Sequence, residues 1–144
     1  MAEELDFRRE LSKAMRHLWV LTWHEDREIN PGVPDISYVI PDCHHETGWL
    51  ELKAIKPPLH DNYRFKIEPS QHRWIERHHM YVPVHFLLAA GDYVWFIAGK
   101  HHTQLLAPLN KRDLCDLGKM FPREDLCMSV YAAISEATLR EYKK

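Results

Sequence analysis

No apolar run in the sequence reaches the roughly 18 residues of a membrane span. The longest, Val82 to Ala90, is strand-sized. Cysteine is scarce: Cys43, Cys115 and Cys127 are widely spaced and form no CxxC pair. That excludes a disulfide scaffold and points to a reducing, cytoplasmic setting. Neither charge dominates, since the net is −2 with histidines neutral, so the total does not mark a nucleic-acid binder. The opening MAEELDFRRELSK is amphipathic and of mixed charge, unlike a signal peptide. Repeats, low-complexity tracts and linker-like stretches are missing too, so a single domain over residues 1–144 is expected, with no membrane partner.

What is present fits a soluble α/β chain, with 45% apolar and 28% charged residues. Phe7, Leu11, Ala14, Met15 and Leu18 form a helical stripe over 4–19, and Val20 to Trp23 reads as a short strand. After an Asn-Pro-Gly turn, Ile36 to Ile40 reads as a strand, PDCHHETG as a loop and Trp49 to Ile55 as the returning strand. KPPLHDNYRFKIE has two prolines and no period, an irregular excursion. A helix is expected from Pro69, with Gln71 near its N3 position and Gln71, Trp74, Ile75 and His78 on the inner face. Val84–Ala90 and Tyr93–Ala98 read as strands across Gly91-Asp92, followed by helices over Lys111–Lys119 and Ser129–Tyr142. The pattern α-β-β-β-α-β-β, closed by these helices, predicts one layered α/β domain.

The stretch GVPDISYVIPDCHHETGWLELK carries the chemistry. Strand alternation sends Glu51 and Lys53 to one face and Leu50 and Leu52 to the other. If the loop folds symmetrically about Cys43, Asp35 lies opposite Glu51, at about 5 Å. Carboxylates that close repel unless a positive charge lies between them. Lys53 supplies one; a divalent cation suits better, because Mg²⁺ takes one or two carboxylates plus waters and phosphate oxygens. Asp35, Glu51 and the Leu52 carbonyl are the expected metal ligands. Lys53 would orient the attacking water and offset charge at a scissile phosphate. A surface hairpin with a cross-strand salt bridge would give a similar pattern.

GVPD (32–35), LELK (50–53) and EPSQHRWIE (68–76) resemble the PD-(D/E)xK nuclease superfamily, and most closely its VRR-NUC branch, which is related to Holliday junction resolvases. The resemblance covers about residues 7–98, and leaves about 105–144 as a C-terminal helical extension. It implies a restriction-endonuclease-like core, a central mixed β-sheet flanked by helices. It implies a Mg²⁺- or Mn²⁺-dependent DNA endonuclease, acting on branched or four-way junction DNA as a homodimer. Such a compact enzyme suits a virus or a bacterium. Asp35 and Glu51 match the metal-binding acids, Lys53 the catalytic lysine and Gln71 the glutamine of the following helix. A first-helix glutamate is also implied; Glu10 is the first choice and Glu4 the second. The loop between LELK and the glutamine helix is longer than the branch usually shows. A non-catalytic DNA-binding protein that keeps the fold is the contrasting reading.

Between Lys53 and His79 basic residues outnumber acids, and Lys56, Tyr63, Arg64, Lys66 and Arg73 are the expected DNA contacts. Gln71 has an alternative use as a capping side chain. His44-His45, His78-His79 and His101-His102 fit no zinc spacing. Trp74, Trp95 and Phe96 read as core, whereas Trp49 shares the face of Glu51.

Overall fold

The computed structural model describes residues 2–15, 20–24, 32–40 and 46–142. In chain order the elements are helix α1 (Ala2–Met15), strands β1 (Val20–Trp23), β2 (Ile36–Ile40) and β3 (Glu46–Ile55), helix α2 (Pro69–His78), and strands β4 (Val84–Ala90) and β5 (Tyr93–Ala98). A 3-10 helix (Gly99–Leu106), α3 (Lys111–Leu117), β6 (Gly118–Pro122), a 3-10 turn (Arg123–Asp125) and α4 (Leu126–Tyr142) complete the chain.

The six strands form one sheet in sequence order. Every neighbouring pair is antiparallel except β3 and β4, which run parallel from Trp49↔Val84 to Ile55↔Ala90. A parallel step needs a crossover. Here the proline-containing excursion and α2 provide it, so the return path passes over one face of β3.

Burial follows from strand alternation. Leu50, Leu52, Leu87, Ala89, Val94 and Phe96 point into a core closed by Phe7, Leu11 and Met15 of α1 and by Val130 and Ile134 of α4. The opposite face holds Phe86, Leu88, Trp95 and Ile97, covered by Ile75 of α2, Leu105, Leu114 of α3, and Phe65 and Ile67 of the excursion. The architecture is therefore a six-stranded mixed sheet between two helical layers, as the α/β reading expects. β4 is apolar almost throughout because both its faces are covered.

Several boundaries differ from those the sequence predicts. The helix expected over Lys111–Lys119 stops at Leu117, and Gly118–Pro122 pairs with β5 as a sixth strand. The segment expected as a helical extension thus supplies a sheet edge, and α4, starting at Leu126, packs into the α1 side of the core. Gly118 explains the switch: a Cβ there would overlap the Phe96 carbonyl, so only glycine lets the chain approach β5 so closely. β3 begins at Glu46, inside the expected loop. The expected helix over 4–19 begins at Ala2, and its positions 16–19 lie outside the described residues, as do Cys43, His44 and His45. No helix among the described residues is long and apolar enough to cross a membrane.

Candidate active site

The β2–β3 ladder ends at Ile36↔Leu50, while β3 continues to Ile55 with β4 on its other side. From Glu51 onward the β2-facing edge of β3 therefore opens, and Asp35 sits at that fork. Its Oδ2 accepts the Leu52 N–H at 2.9 Å, a bond that a β2 backbone carbonyl would otherwise make. The N–H and C=O of a strand residue point to the same side, so the Leu52 carbonyl also faces the fork. The expected alignment of Asp35 with Glu51 is present: the Asp35 N–H donates to Glu51 Oε2 at 3.3 Å.

Gly32 makes this turn possible. Its φ of 86° lies in the left-handed region, and a Cβ would collide with the Ser70 carbonyl in the first turn of α2. The Gly-Val-Pro-Asp segment thus lies directly against the helix that carries Gln71.

Gln71 serves two purposes. Its Oε1 accepts the Glu68 N–H at 2.8 Å, capping α2, and its Nε2 donates to Glu51 Oε1 at 2.7 Å. The capping use and the site use, alternatives in the sequence, are made by opposite ends of one amide. Lys53 Nζ lies 3.6 Å from the same Glu51 oxygen.

Among the described residues, the buried polar or charged side chains are Asp35, Glu51, Lys53, Gln71 and His102. Four of these five are the residues expected at the site, and two of them are carboxylates with under 4% of their surface exposed. Burial pushes the Glu51 carboxyl well above its usual range, and Asp35 beside it pushes further in the same direction. Lys53 opposes this, while Glu4 adds to it.

The first-helix acid needs correction. Glu10 accepts a 2.7 Å hydrogen bond from Arg123 Nε, and the Arg123 guanidinium also reaches the Gly91 carbonyl and the Phe7 ring, away from the carboxylate pair. Glu4 is the acid of α1 whose charge reaches Glu51. At 100° per residue, Glu10 is rotated about 120° around the helix from Glu4. Arg8, one turn after Glu4, places Nη2 4.0 Å from Asp35 Oδ1 and its guanidinium over the Trp23 ring. Sequence reading passed over Arg8, although the Glu4–Arg8 spacing of one turn marks a shared helix face.

The expected DNA contacts divide. Lys56, Arg64, Lys66 and Arg73 are exposed, with Lys56 near Glu3 (3.8 Å) and Lys66 near Glu68 (3.6 Å). Arg73 follows Gln71 by two residues, about 200° around α2, so it leaves the helix on the far side from Glu51. Tyr63 is anchored: its backbone pairs with Leu109 and its ring packs edge-on against Trp95, centroids 5.4 Å apart.

Among the described residues no group of three or more His, Cys, Asp or Glu side chains is arranged to hold a metal ion. The fork offers a different donor set: two buried carboxylates and one carbonyl. That is the set a hard cation such as Mg²⁺ takes, and the uncompensated repulsion at Glu51 is what such a cation would relieve. The residues present therefore fit the group. No protein-family model matches the chain, and no curated protein matches it significantly.

Proposed function

We propose that the chain is a metal-dependent endonuclease of the PD-(D/E)xK type that hydrolyses DNA phosphodiester bonds. The observation that carries the reading is the burial of Asp35 and Glu51 side by side at a strand fork, with Lys53 and Gln71 on the same Glu51 oxygen. Two adjacent buried acids are costly to ionise together, and carboxylates perturbed in this way cluster at functional sites.

Asp35, Glu51 and the Leu52 carbonyl would hold Mg²⁺ or Mn²⁺. When bound, the cation acidifies water and offsets charge on the phosphate oxygens. Gln71 fixes the Glu51 carboxylate, and Lys53 contributes an ammonium that orients the attacking water and balances charge developing at the phosphate. Arg8 is placed to hold Asp35 in orientation. Exposed Lys56, just after β3, and exposed Arg64 and Lys66 of the excursion supply backbone contacts. Branched DNA and a homodimer with two such sites follow from the family resemblance.

Cleavage of four-way junction, flap and linear DNA in Mg²⁺ or Mn²⁺, against EDTA, tests the reading. Asp35→Ala and Lys53→Ala should abolish cleavage while DNA binding persists. Metal-independent binding with no cleavage of any DNA would reject it in favour of a binding protein.

A further inference from the structure

Beyond the acidic pair, the same face of the sheet carries a row of aromatic rings. Trp49 precedes Glu51 by two residues on β3, so both face α2, about 7 Å apart along the strand. Trp74 follows Gln71 by one turn on α2. Strand and helix thus meet in two successive rungs. The first is the 2.7 Å hydrogen bond from Gln71 to Glu51, and the second is an edge-to-face contact between Trp74 and Trp49, centroids 5.2 Å apart.

Two histidines extend the row. The His24 ring lies 4.9 Å from Trp49, its Nε2 held 2.9 Å from Ser37 Oγ. His78 stacks nearly flat on Trp74, 3.9 Å away at 10°, and its Nδ1–H donates to the Trp74 carbonyl at 2.7 Å. All four residues are part-exposed at the edge of the core on which Trp49 and Trp74 pack, whereas Trp95 and Ile75 in the same layer are fully buried.

We infer that this row is a stacking platform for an unpaired nucleobase beside the scissile phosphate. The inference rests on the nuclease reading and refines its substrate class to DNA with single-stranded nucleotides at the cut. A ring one strand repeat from the carboxylates lies one nucleotide from the phosphate they would hold. A base inside a continuous duplex is already stacked on its neighbours and cannot lie on Trp49. Stacking on aromatic side chains accepts any base, so the platform selects structure rather than sequence. Its two indoles carry no charge, so they contribute affinity without adding to the salt dependence that phosphate contacts impose.

The test uses the full chain in EDTA, with tryptophan emission followed during titration with a short oligothymidylate and, separately, a blunt hairpin duplex. The single strand should quench emission. Trp49→Leu should weaken its binding about tenfold or more, with the slope of affinity against salt unchanged. Trp49→Phe, which keeps a ring, should recover most of the loss, and the thermal midpoints of both variants verify folding. Oligothymidylate binding by Trp49→Leu equal to that of the wild type would overturn the platform. So would equal binding of single strand and duplex by the wild type. Cleavage in Mn²⁺ separates the two readings. Ring-dependent binding without cleavage of any DNA supports the platform and rejects the nuclease. Cleavage with a flap-over-duplex preference that Trp49→Leu leaves intact rejects the platform and keeps the nuclease.

Discussion

Replacing Glu51 by glutamine turns the buried acidic pair into a measurement. The amide keeps the shape of the side chain but offers one oxygen where the carboxylate offers two, to Gln71 and to the Asp35 N–H. One lost hydrogen bond costs about 1 kcal/mol. Against this stands the cost of ionising Glu51 in place, which rises with pH. Burial and Asp35 raise the Glu51 carboxyl well above its usual 4.5 in the folded chain. Once the pH exceeds 4.5 the unfolded chain releases that proton and the folded chain keeps it. The associated stability is full below 4.5 and is lost as pH rises through the folded value. In that window the wild type loses up to about 1.4 kcal/mol per pH unit relative to Glu51→Gln, or about 3–6 °C in thermal midpoint for a chain of this size. Titrations of groups remote from the pair cancel in the difference. Midpoints measured in EDTA from about pH 5 to about pH 8 should therefore start with the wild type level or ahead, and end with the variant ahead. Mg²⁺ at a fixed concentration, about a hundredfold over its dissociation constant at the low-pH end, should return about 2.7 kcal/mol to the wild type there, more at high pH because Glu51 must shed its proton to bind, and little to the variant. A difference that stays flat across pH would refute the description of Glu51 as a strained acid, and equal metal stabilisation of both proteins would refute its role as a ligand.

Gly32→Ala should cost about 1–3 kcal/mol, because φ is positive and the new methyl strikes the Ser70 carbonyl; chemical denaturation measures this, and nuclease activity should fall with it. Glu4→Ala should reduce cleavage, whereas Glu10→Ala should leave it unchanged and cost no more than about 1 kcal/mol, since its pair with Arg123 is part-exposed; the reverse order of effects would restore Glu10 to the site. His85 stacks on Phe96, its Nδ1 is buried without a hydrogen-bond partner, and burial pushes its pKa down to about 4. Its neutral form is stabilising above 6.5, and that stability is lost as pH falls toward 4. The loss is at most about 3 kcal/mol because part of the residue is exposed, and it should be missing from the acid limb of a His85→Leu stability profile.

The order of the first seven regular elements was legible because each has a clean period: the α1 stripe, the alternation in β3, and the apolar runs of β4 and β5. The register of Asp35 against Glu51 was legible too, because a strand–loop–strand pairing fixes opposite residues once one pair is aligned. β6 was not. The expected helix over Lys111–Lys119 took in Gly118 and Lys119 and left Met120–Pro122 without an element, and the close approach of Gly118 to β5, a contact distant in sequence, makes the segment a strand. The first-helix acid failed for a similar reason. Glu10 lies on the buried side of α1 in a helical projection, but that side also faces the 3-10 turn with Arg123, which no local pattern announces. Arg8 and the aromatic row were invisible because they depend on how α1, β3 and α2 are stacked in space.

If the chain is the nuclease proposed above, Gln71 ties its competence to the integrity of a single helical turn. The amide that caps α2 is the same group that orients Glu51, so fraying at Glu68–Gln71 removes the orienting donor at once. A chain still emerging from the ribosome, or one locally melted at that turn, would carry every acid and base of the site and yet be inert toward DNA.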